Sequence, residues 1–266
     1  MTPFANQIFF RRFPLFAGRA AWFSLALSAL FFSACSRKDS EQPRLDLPGY
    51  KAELLLKETF ETGLSQWKVL GPGTAEILPG GILQATVPPG RDGMGLWLAR
   101  PVKGSYLLEY EIEFEDTLSV HSLLLCAGGR KGEDLLSFAD PDSVGKIEYF
   151  TQGPVSNYQI QYHAFDSTGT PMERSRIFKN PGRMLLSHAG TDPCAENRNH
   201  AIVIVKIANR IQMSVDGNLI HDVRDKGGFG PILMQGTIGF WVPCASEPVS
   251  IRLKHVRLFK LSIDSQ

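Results

Sequence analysis

Two amides and an imidazole follow one another at alternate positions of the segment Tyr158–Phe165, as Gln159, Gln161 and His163. Alternation with period two is typical of a β-strand, so these three side chains would share one face of a sheet. Amides hydrogen-bond sugar hydroxyl groups, and a histidine that titrates near neutral pH can act as a general base. We therefore expect this face to line a groove that binds a glycan. A solvated polar sheet face without a ligand is the alternative.

The segment that follows, residues 166–200, shows no convincing strand pattern outside residues 184–187. Long irregular segments in compact domains are usually functional or mobile. It carries five basic side chains: Arg174, Arg176, Lys179, Arg183 and Arg198. Because guanidinium groups bind carboxylates with two parallel hydrogen bonds, Arg174 and Arg176 are candidates for binding an acidic sugar. Pairing with acids of the same segment is the alternative.

These side chains suggest a β-elimination on a uronate-containing glycan. Gln161 with Arg174 or Arg176 would neutralise the sugar carboxylate, His163 would remove the C5 proton, and Tyr149 would protonate the leaving oxygen. Gln159 would add a substrate contact.

Trp241 is a further candidate contact, because its strand neighbours Thr237 and Gly239 are small and leave room over the indole ring. Packing in the core is the alternative interpretation of this residue.

Other sites receive less support. Glu109, Glu111 and Glu113 share one strand face but lack the spacing of retaining glucanases. The six histidines show no tight ligand spacing and the cysteines form no CxxC pair, so no metal ligands are assigned and a zinc site is not expected. A structural calcium ion is a candidate cofactor, because Asp216, Asp222 and Asp225 lie near loops.

Short strands with period-two patterning dominate the rest of the chain, and no segment has a sustained helical period. An example is Tyr106–Phe114, in which apolar residues alternate with three glutamates. Many such strands with Gly- and Pro-rich turns predict an all-β sandwich of two antiparallel sheets. The predicted strands are 83–87, 96–100, 106–114, 122–127, 146–150, 158–165, 201–208, 211–215, 219–223, 237–242 and 249–261, with a bulge expected near Lys254–His255.

The N-terminus predicts export. Three arginines precede an uncharged run from Ala20 to Ala34, which suits the apolar region of a signal peptide. Its last residues, Phe32-Ser33-Ala34-Cys35, resemble a bacterial lipobox, which implies that Cys35 is lipidated and that the protein is anchored to the cell envelope. An ordinary secretory signal, or a short anchor helix, with an unmodified cysteine is the alternative. We expect a signal peptide at 1–34, a polar tether at 35–49 and one domain at 50–266.

The net charge of the chain argues against nucleic acid as a partner. The near-neutral formal charge of +1 gives no basic field for nucleic acid.

After export, disulfides can form. A bridge between Cys194 and Cys244 is the preferred pairing, with Cys126 as a buried thiol.

The end of the chain, with Ile211–Gly217, Gly236–Trp241 and Ile251–Phe259, resembles concanavalin-A-like jelly rolls. Tyr162-His163-Ala164, Asn180-Pro181-Gly182, Leu185-Leu186-Ser187 and Asp192 resemble the YesU-like family. That resemblance implies a jelly-roll fold and an association with rhamnogalacturonan utilisation. The Gln-x-His pair at Gln161 and His163 is also similar to a motif of jelly-roll alginate lyases, although a matching arginine-rich strand is missing.

The sequence thus predicts a surface-anchored polysaccharide-processing protein, a lyase or hydrolase acting on uronate-containing or pectin-like glycans. The alternative is a non-catalytic carbohydrate-binding lipoprotein of a glycan-utilisation system. A structural envelope or adhesion domain is a third interpretation. The first two require the same groove and differ in whether a proton-transfer group lies within it.

Overall fold

The computed structural model describes residues 41–90, 92–172, 174–196 and 198–264, which contain sixteen β-strands and three short helices. The strands are β1 (Tyr50–Glu58), β2 (Trp67–Leu70), β3 (Thr74–Leu78), β4 (Ile82–Val87), β5 (Met94–Leu98), β6 (Val102–Lys103), β7 (Tyr106–Phe114), β8 (Val120–Gly129), β9 (Val155–Ala164), β10 (Arg176–Asn180), β11 (Met184–His188), β12 (Asn199–Ile207), β13 (Arg210–Val215), β14 (Asn218–Arg224), β15 (Gln235–Val242) and β16 (Val249–Ile263). The helices are α1 (Leu135–Phe138), α2 (Ile147–Thr151) and the 3-10 helix η1 (Pro193–Ala195). The predicted signal peptide and Cys35 lie outside the described residues. Within the described ranges, no helix has the length and apolarity that crossing a membrane requires.

The strands form two antiparallel sheets of eight strands each. Sheet A has the order β14-β13-β12-β7-β16-β4-β3, and β1 pairs with β16. Sheet B has the order β11-β10-β9-β8-β15-β5-β2, and β6 pairs with β15. This arrangement confirms the predicted all-β sandwich.

One core fills the space between the sheets. Tyr110 and Ile112 of sheet A and Tyr158, Ile160 and Tyr162 of sheet B belong to the same buried cluster. The hydroxyl groups of Tyr110 and Tyr162 are 3.2 Å apart, so they form a hydrogen bond across the core. These residues occupy every second strand position, which is why period-two patterning predicted the inward faces correctly.

Two segments differ from the sequence prediction. Residues 146–150 were predicted as a strand but form helix α2, in which Ile147 and Phe150 are three residues apart and so lie on one side of a turn. Phe150 packs on Trp97 of sheet B, with ring centroids 5.1 Å apart. Residues 166–200 contain a second strand, β10, which the sequence pattern did not reveal because Ile177 and Phe178 are consecutive apolar residues.

The outer face of sheet A carries a ladder of ion pairs. Its members are Glu109, Glu111 and Glu113 of β7, which lie opposite Arg257, Lys254 and Arg252 of β16. The register shift between Lys254 and Arg257 is the predicted bulge. Arg257 pairs with Glu109 and Arg252 pairs with Glu113, so these two carboxylates have basic partners within the sheet.

The N-terminal part of the described chain lies against this ladder. Arg44 contacts Glu109 through its backbone N–H and Glu111 through its guanidinium group. Arg257 donates a hydrogen bond of 3.2 Å to the carbonyl oxygen of Gln42. From Gln42 onward, the segment predicted as a tether is thus in contact with sheet A.

Candidate functional site

Four side chains form one row across the outer face of sheet B. Trp241 of β15 lies opposite Ser122 of β8. Ser122 in turn lies opposite Gln161 of β9, and Gln161 lies opposite Arg176 of β10. Directly opposite residues of antiparallel strands have Cβ atoms about 4.5–5.5 Å apart, so the row spans about 15 Å. The sheet thereby places an indole, a hydroxyl, an amide and a guanidinium group side by side.

This row lines a groove with a volume of about 480 Å³. Residues 118–120 at the start of β8 form one wall, and Gly145, Ile147 and Glu148 with Cys244 contribute another. The remaining side chains at the groove include Gln159, Phe165, Met172 and Arg183. Beside the groove, Val144 and Phe150 from the segment that holds α1 and α2 pack on the indole rings of Trp97 and Trp241. The groove is therefore the part of the outer face that this segment leaves open.

The two glutamines differ in their contacts. Gln159 is buried, its Nε2 donates to Ser122 Oγ at 3.0 Å, and its Oε1 accepts from Asn180 Nδ2 at 3.5 Å. Gln161 is half-buried, and its amide has no hydrogen-bonding partner among the described residues. Gln159 thus positions Ser122, whereas Gln161 has its full hydrogen-bonding capacity available to a ligand.

Trp241 forms part of the groove boundary and part of the core. Its side chain belongs to a residue that is only 4% exposed, and its ring centroid lies 5.4 Å from that of Phe150. Gly93 packs against it so closely that an added Cβ would lie 2.7 Å from Cζ2 of the indole. Trp241 therefore packs in the core and also lines the groove, but only a small part of its ring is exposed there.

The charge in the groove is predominantly positive. Arg176 and Arg183 line it, and Arg183 is held over the ring of Phe178 with its guanidinium carbon 5.1 Å from the ring centroid. Glu148 is the one carboxylate among the described lining residues. Such a groove favours an anionic ligand, because two guanidinium groups outnumber one carboxylate.

His163 does not lie in this groove. Val120 pairs with Ala164 and His121 with Tyr162, so His163 is the extra residue of a β-bulge and has a left-handed φ of 47°. The bulge turns the imidazole into the interior, where it is 1% exposed and stacks on Phe114 at 4.0 Å between ring centroids. Burial lowers the pKa of His163. The prediction that His163 lines the groove as a catalytic base is wrong, because the bulge breaks the alternation on which it rested.

Two other predicted site residues, Tyr149 and Arg174, are also outside the groove. Tyr149 lies in α2, and its hydroxyl group accepts from the backbone N–H of Asp140 at 3.2 Å and donates to the carbonyl oxygen of Phe138 at 3.4 Å. Arg174 is exposed and is not among the lining residues. The proposed β-elimination geometry is therefore contradicted, since its base and its acid both have other surroundings.

The predicted bridge between Cys194 and Cys244 is also absent, since both residues are free thiols. Cys194 is buried in η1 beside Tyr162, and burial raises the pKa of its thiol. Cys244 lies at the groove, where burial, and then the charges of Asp92 and Glu148, raise the pKa of its thiol. The third thiol, Cys126, is buried as predicted.

The acids considered for calcium do not meet at one site. Asp216 pairs with His200 at 2.8 Å, Asp222 pairs with Arg210, and Asp225 pairs with Lys179 at 2.7 Å. Each carboxylate thus has its own basic partner within the chain.

Sequence reasoning missed Ser122, Arg183 and Glu148 as groove residues. Ser122 could have been found from its place opposite Gln161 once strands 122–127 and 158–165 were taken as neighbours. Arg183 follows β10 in a turn with a left-handed φ of 52°, and Glu148 depends on the unpredicted helix α2.

Comparison with solved structures identifies the fold. A Bacillus subtilis protein of unknown function with a galectin-like fold superposes with a TM-score of 0.68 at 16% identity, covering 80% of this chain and 99% of that chain. The κ-carrageenase of Pseudoalteromonas carrageenovora, solved with an oligotetrasaccharide of κ-carrageenan, gives a TM-score of 0.53 at 13% identity and covers 84% and 100% of the two chains. The cellulose induced protein Cip1 gives 0.51 at 12% identity and covers 78% and 96%. The sequence matches no protein-family model and no curated protein. At these identities the likeness shows a shared galectin-like jelly-roll fold.

Proposed function

We propose that the groove on sheet B binds an acidic glycan, and that the protein captures saccharide without cleaving it. The observation that supports this proposal is the row from Trp241 to Arg176, in which the Gln161 amide and the Arg176 guanidinium group have no partners among the described residues. An amide suits sugar hydroxyl groups, and a guanidinium group suits the carboxylate of a uronic acid.

The chemistry of the lining favours binding over catalysis. Retaining and inverting glycosidases use two carboxyl groups, whereas the described lining residues include one, Glu148. Elimination needs a group that removes a proton, and no histidine or tyrosine is found among those same lining residues. The non-catalytic alternative from the sequence is therefore the better proposal.

The ligand class and the cellular location that we propose are supported by similarity to other proteins. A structural neighbour solved with a carrageenan oligosaccharide supports saccharide as the ligand class. The resemblance to the YesU-like family suggests a pectin-type glycan, and the lipobox-like end at Cys35 suggests attachment to the bacterial cell envelope. We propose that the protein presents captured oligosaccharide to partner enzymes of a glycan-utilisation system.

The test is calorimetric titration of the purified protein with a hexamer of galacturonic acid and with cellohexaose as the neutral control. We expect binding of the acidic hexamer, weaker binding of the neutral one, and a loss of the preference in Arg176→Gln but not in Arg174→Gln. Equal affinity for both hexamers in the unmodified protein would count against the proposal. Incubation with uronate polysaccharides, followed by absorbance of unsaturated products and by reducing ends, separates capture from cleavage.

A further inference from the structure

A second cluster of chemistry-bearing side chains lies in the interior, behind the groove wall of residues 118–120. It consists of Asp116 in the β7–β8 loop, His121 in β8 and His163 in β9. These residues are 8%, 1% and 1% exposed, and one ligand-type atom from each lies within 4.8 Å of the other two. The sequence separates the two histidines by most of β8 and β9 and by the segment that holds α1 and α2, so spacing alone gave no sign of this cluster.

Both ring nitrogens of His163 face a carbonyl oxygen, so a neutral ring can satisfy only one of them with its single N–H. Nδ1 lies 2.7 Å from the carbonyl oxygen of Cys194, and Nε2 lies 2.6 Å from the carbonyl oxygen of Asp116. Both oxygens are acceptors only, while a neutral imidazole has a single N–H. If Nδ1 donates to Cys194, the lone pair of Nε2 faces another lone pair, and a cation at this position would remove the repulsion.

Asp116 is oriented in a complementary way. Its Oδ1 accepts hydrogen bonds from the backbone N–H of Leu118 at 3.1 Å and from Ser119 Oγ at 2.6 Å. Its Oδ2 points at Nε2 of His121, at 2.7 Å. One oxygen is thus held by the loop, and the other is paired with the His121 ring at the centre of the cluster.

We propose that Asp116 Oδ2, His121 Nε2 and His163 Nε2 bind one divalent transition-metal ion, for which Zn²⁺ is the best match. Two imidazole nitrogens and one carboxylate oxygen are a ligand set that Zn²⁺ accepts, whereas Ca²⁺ and Mg²⁺ prefer oxygen ligands alone. The bond from His163 Nδ1 to a backbone carbonyl is the outer contact that metal-bound histidines usually make.

Binding of an ion requires the three side chains to shift. Zinc bonds of about 2.0–2.2 Å place tetrahedral ligand atoms about 3.4 Å apart, so His121 Nε2 and Asp116 Oδ2 would separate by about 0.7 Å. Ligand atoms that now lie as far as 4.8 Å apart would approach each other by up to about 1.4 Å. For the fourth position, the carbonyl oxygen of Asp116 lies beside His163, and Ser119 Oγ lies 3.5 Å from His121 Nε2. The site would tie the β7–β8 loop to β8 and β9, and it would thereby fix the wall of the groove that Ser119 lines.

The test uses the full chain, purified without a metal-chelating step, and measures zinc by mass spectrometry. We expect one equivalent of zinc per chain. After removal of metal with a chelator, added Zn²⁺ should raise the melting temperature by about 5–10 °C when free Zn²⁺ exceeds the dissociation constant about 100-fold. Added Co²⁺ should give the visible absorption of a tetrahedral site.

The matched variants are His121→Gln and His255→Gln, since the His255 side chain is 58% exposed and lies on sheet A. His121→Gln should abolish the cobalt absorption and the thermal shift, and His255→Gln should keep both. The proposal is overturned if both variants keep the cobalt absorption and the thermal shift. It is also overturned if the wild-type protein has no bound zinc and shows no thermal shift. If His121→Gln does not fold, X-ray absorption of the zinc-loaded wild type decides, because two imidazoles must appear in the first shell. None of these readouts depends on glycan binding.

Discussion

Arg176 lies directly opposite Gln161 across the β9–β10 pair, and both side chains reach the groove without a partner among the described residues. The pair is a consequence of register. A strand that slipped by one residue would move either side chain to the core face of sheet B. Both side chains therefore lie on the outer face only if the pairing register is kept along the whole of β9 and β10.

Replacing Arg176 by Gln should weaken binding of an acidic glycan by about 10-fold or more, because a charge-assisted hydrogen bond is worth about 1.5–3 kcal/mol. Calorimetric titration measures the change. Arg174→Gln removes the same charge outside the groove and should leave the affinity unchanged. A similar loss of affinity in both variants would mean that Arg176 acts by long-range electrostatic attraction and not by direct contact with the glycan.

The two glutamines should respond differently to truncation. Gln161→Ala should weaken glycan binding by about 1 kcal/mol and leave stability nearly unchanged, since its amide has no hydrogen-bonding partner among the described residues. Gln159→Ala should lower the free energy of unfolding by about 1–3 kcal/mol, because it leaves buried Ser122 Oγ without its partner and removes one of the two acceptors of Asn180 Nδ2. Urea unfolding with titration of both variants checks the contrast, which a reversed pattern would refute.

Stability should fall as pH decreases from about 6.5 to 4 because of His221. Burial, followed by repulsion from His188, lowers the pKa of His221 to about 4 from 6.5. Its Nδ1 lies 3.0 Å from Ser187 Oγ and its Nε2 2.9 Å from Ser175 Oγ, so the neutral ring is fully hydrogen-bonded. The unfolded chain takes up a proton in this window and the folded chain does not, which costs up to about 3 kcal/mol at the acid end.

The measurement is urea unfolding of wild type and His221→Gln between pH 7 and pH 4.5. The difference in unfolding free energy should shrink as pH falls. A constant difference for His221→Gln would show that this ring does not titrate as described.

The thiols should be free in the folded protein. We expect Cys244 to react with a thiol reagent under native conditions, and Cys126 and Cys194 to react only after unfolding, because those two are buried. Reducing agent should not change the melting temperature. Detection of a Cys194–Cys244 bridge by mass spectrometry would reinstate the prediction made from the sequence.

Lipid attachment at Cys35 remains a prediction. Cys35→Ala should move the protein from the membrane fraction to the soluble fraction of the bacterial envelope, while Cys126→Ala should leave the distribution unchanged. Immunoblotting of fractionated cells measures this. Unaltered membrane association of Cys35→Ala would refute it.

The sequence predicted the sheet faces well and the site only in part. Period two correctly placed Tyr158, Ile160 and Tyr162 in the core and Gln161 on the outer face. It failed at His163, because a bulge is one extra residue whose φ is set by contacts with Phe114 and Asp116 that lie far away in the chain. The same limit explains the unpredicted cluster, since the two histidines become neighbours only when β8 and β9 pair.

The contacts of Gln42 and Arg44 with the ion-pair ladder determine which side of the sandwich the described chain starts from. That side is the outer face of sheet A, whereas the groove opens on the outer face of sheet B, with the core between them. The two sheets are stacked about 10 Å apart with the core between them. Their outer faces therefore point in opposite directions. The described chain therefore begins on the face of the sandwich opposite to the one on which the groove opens.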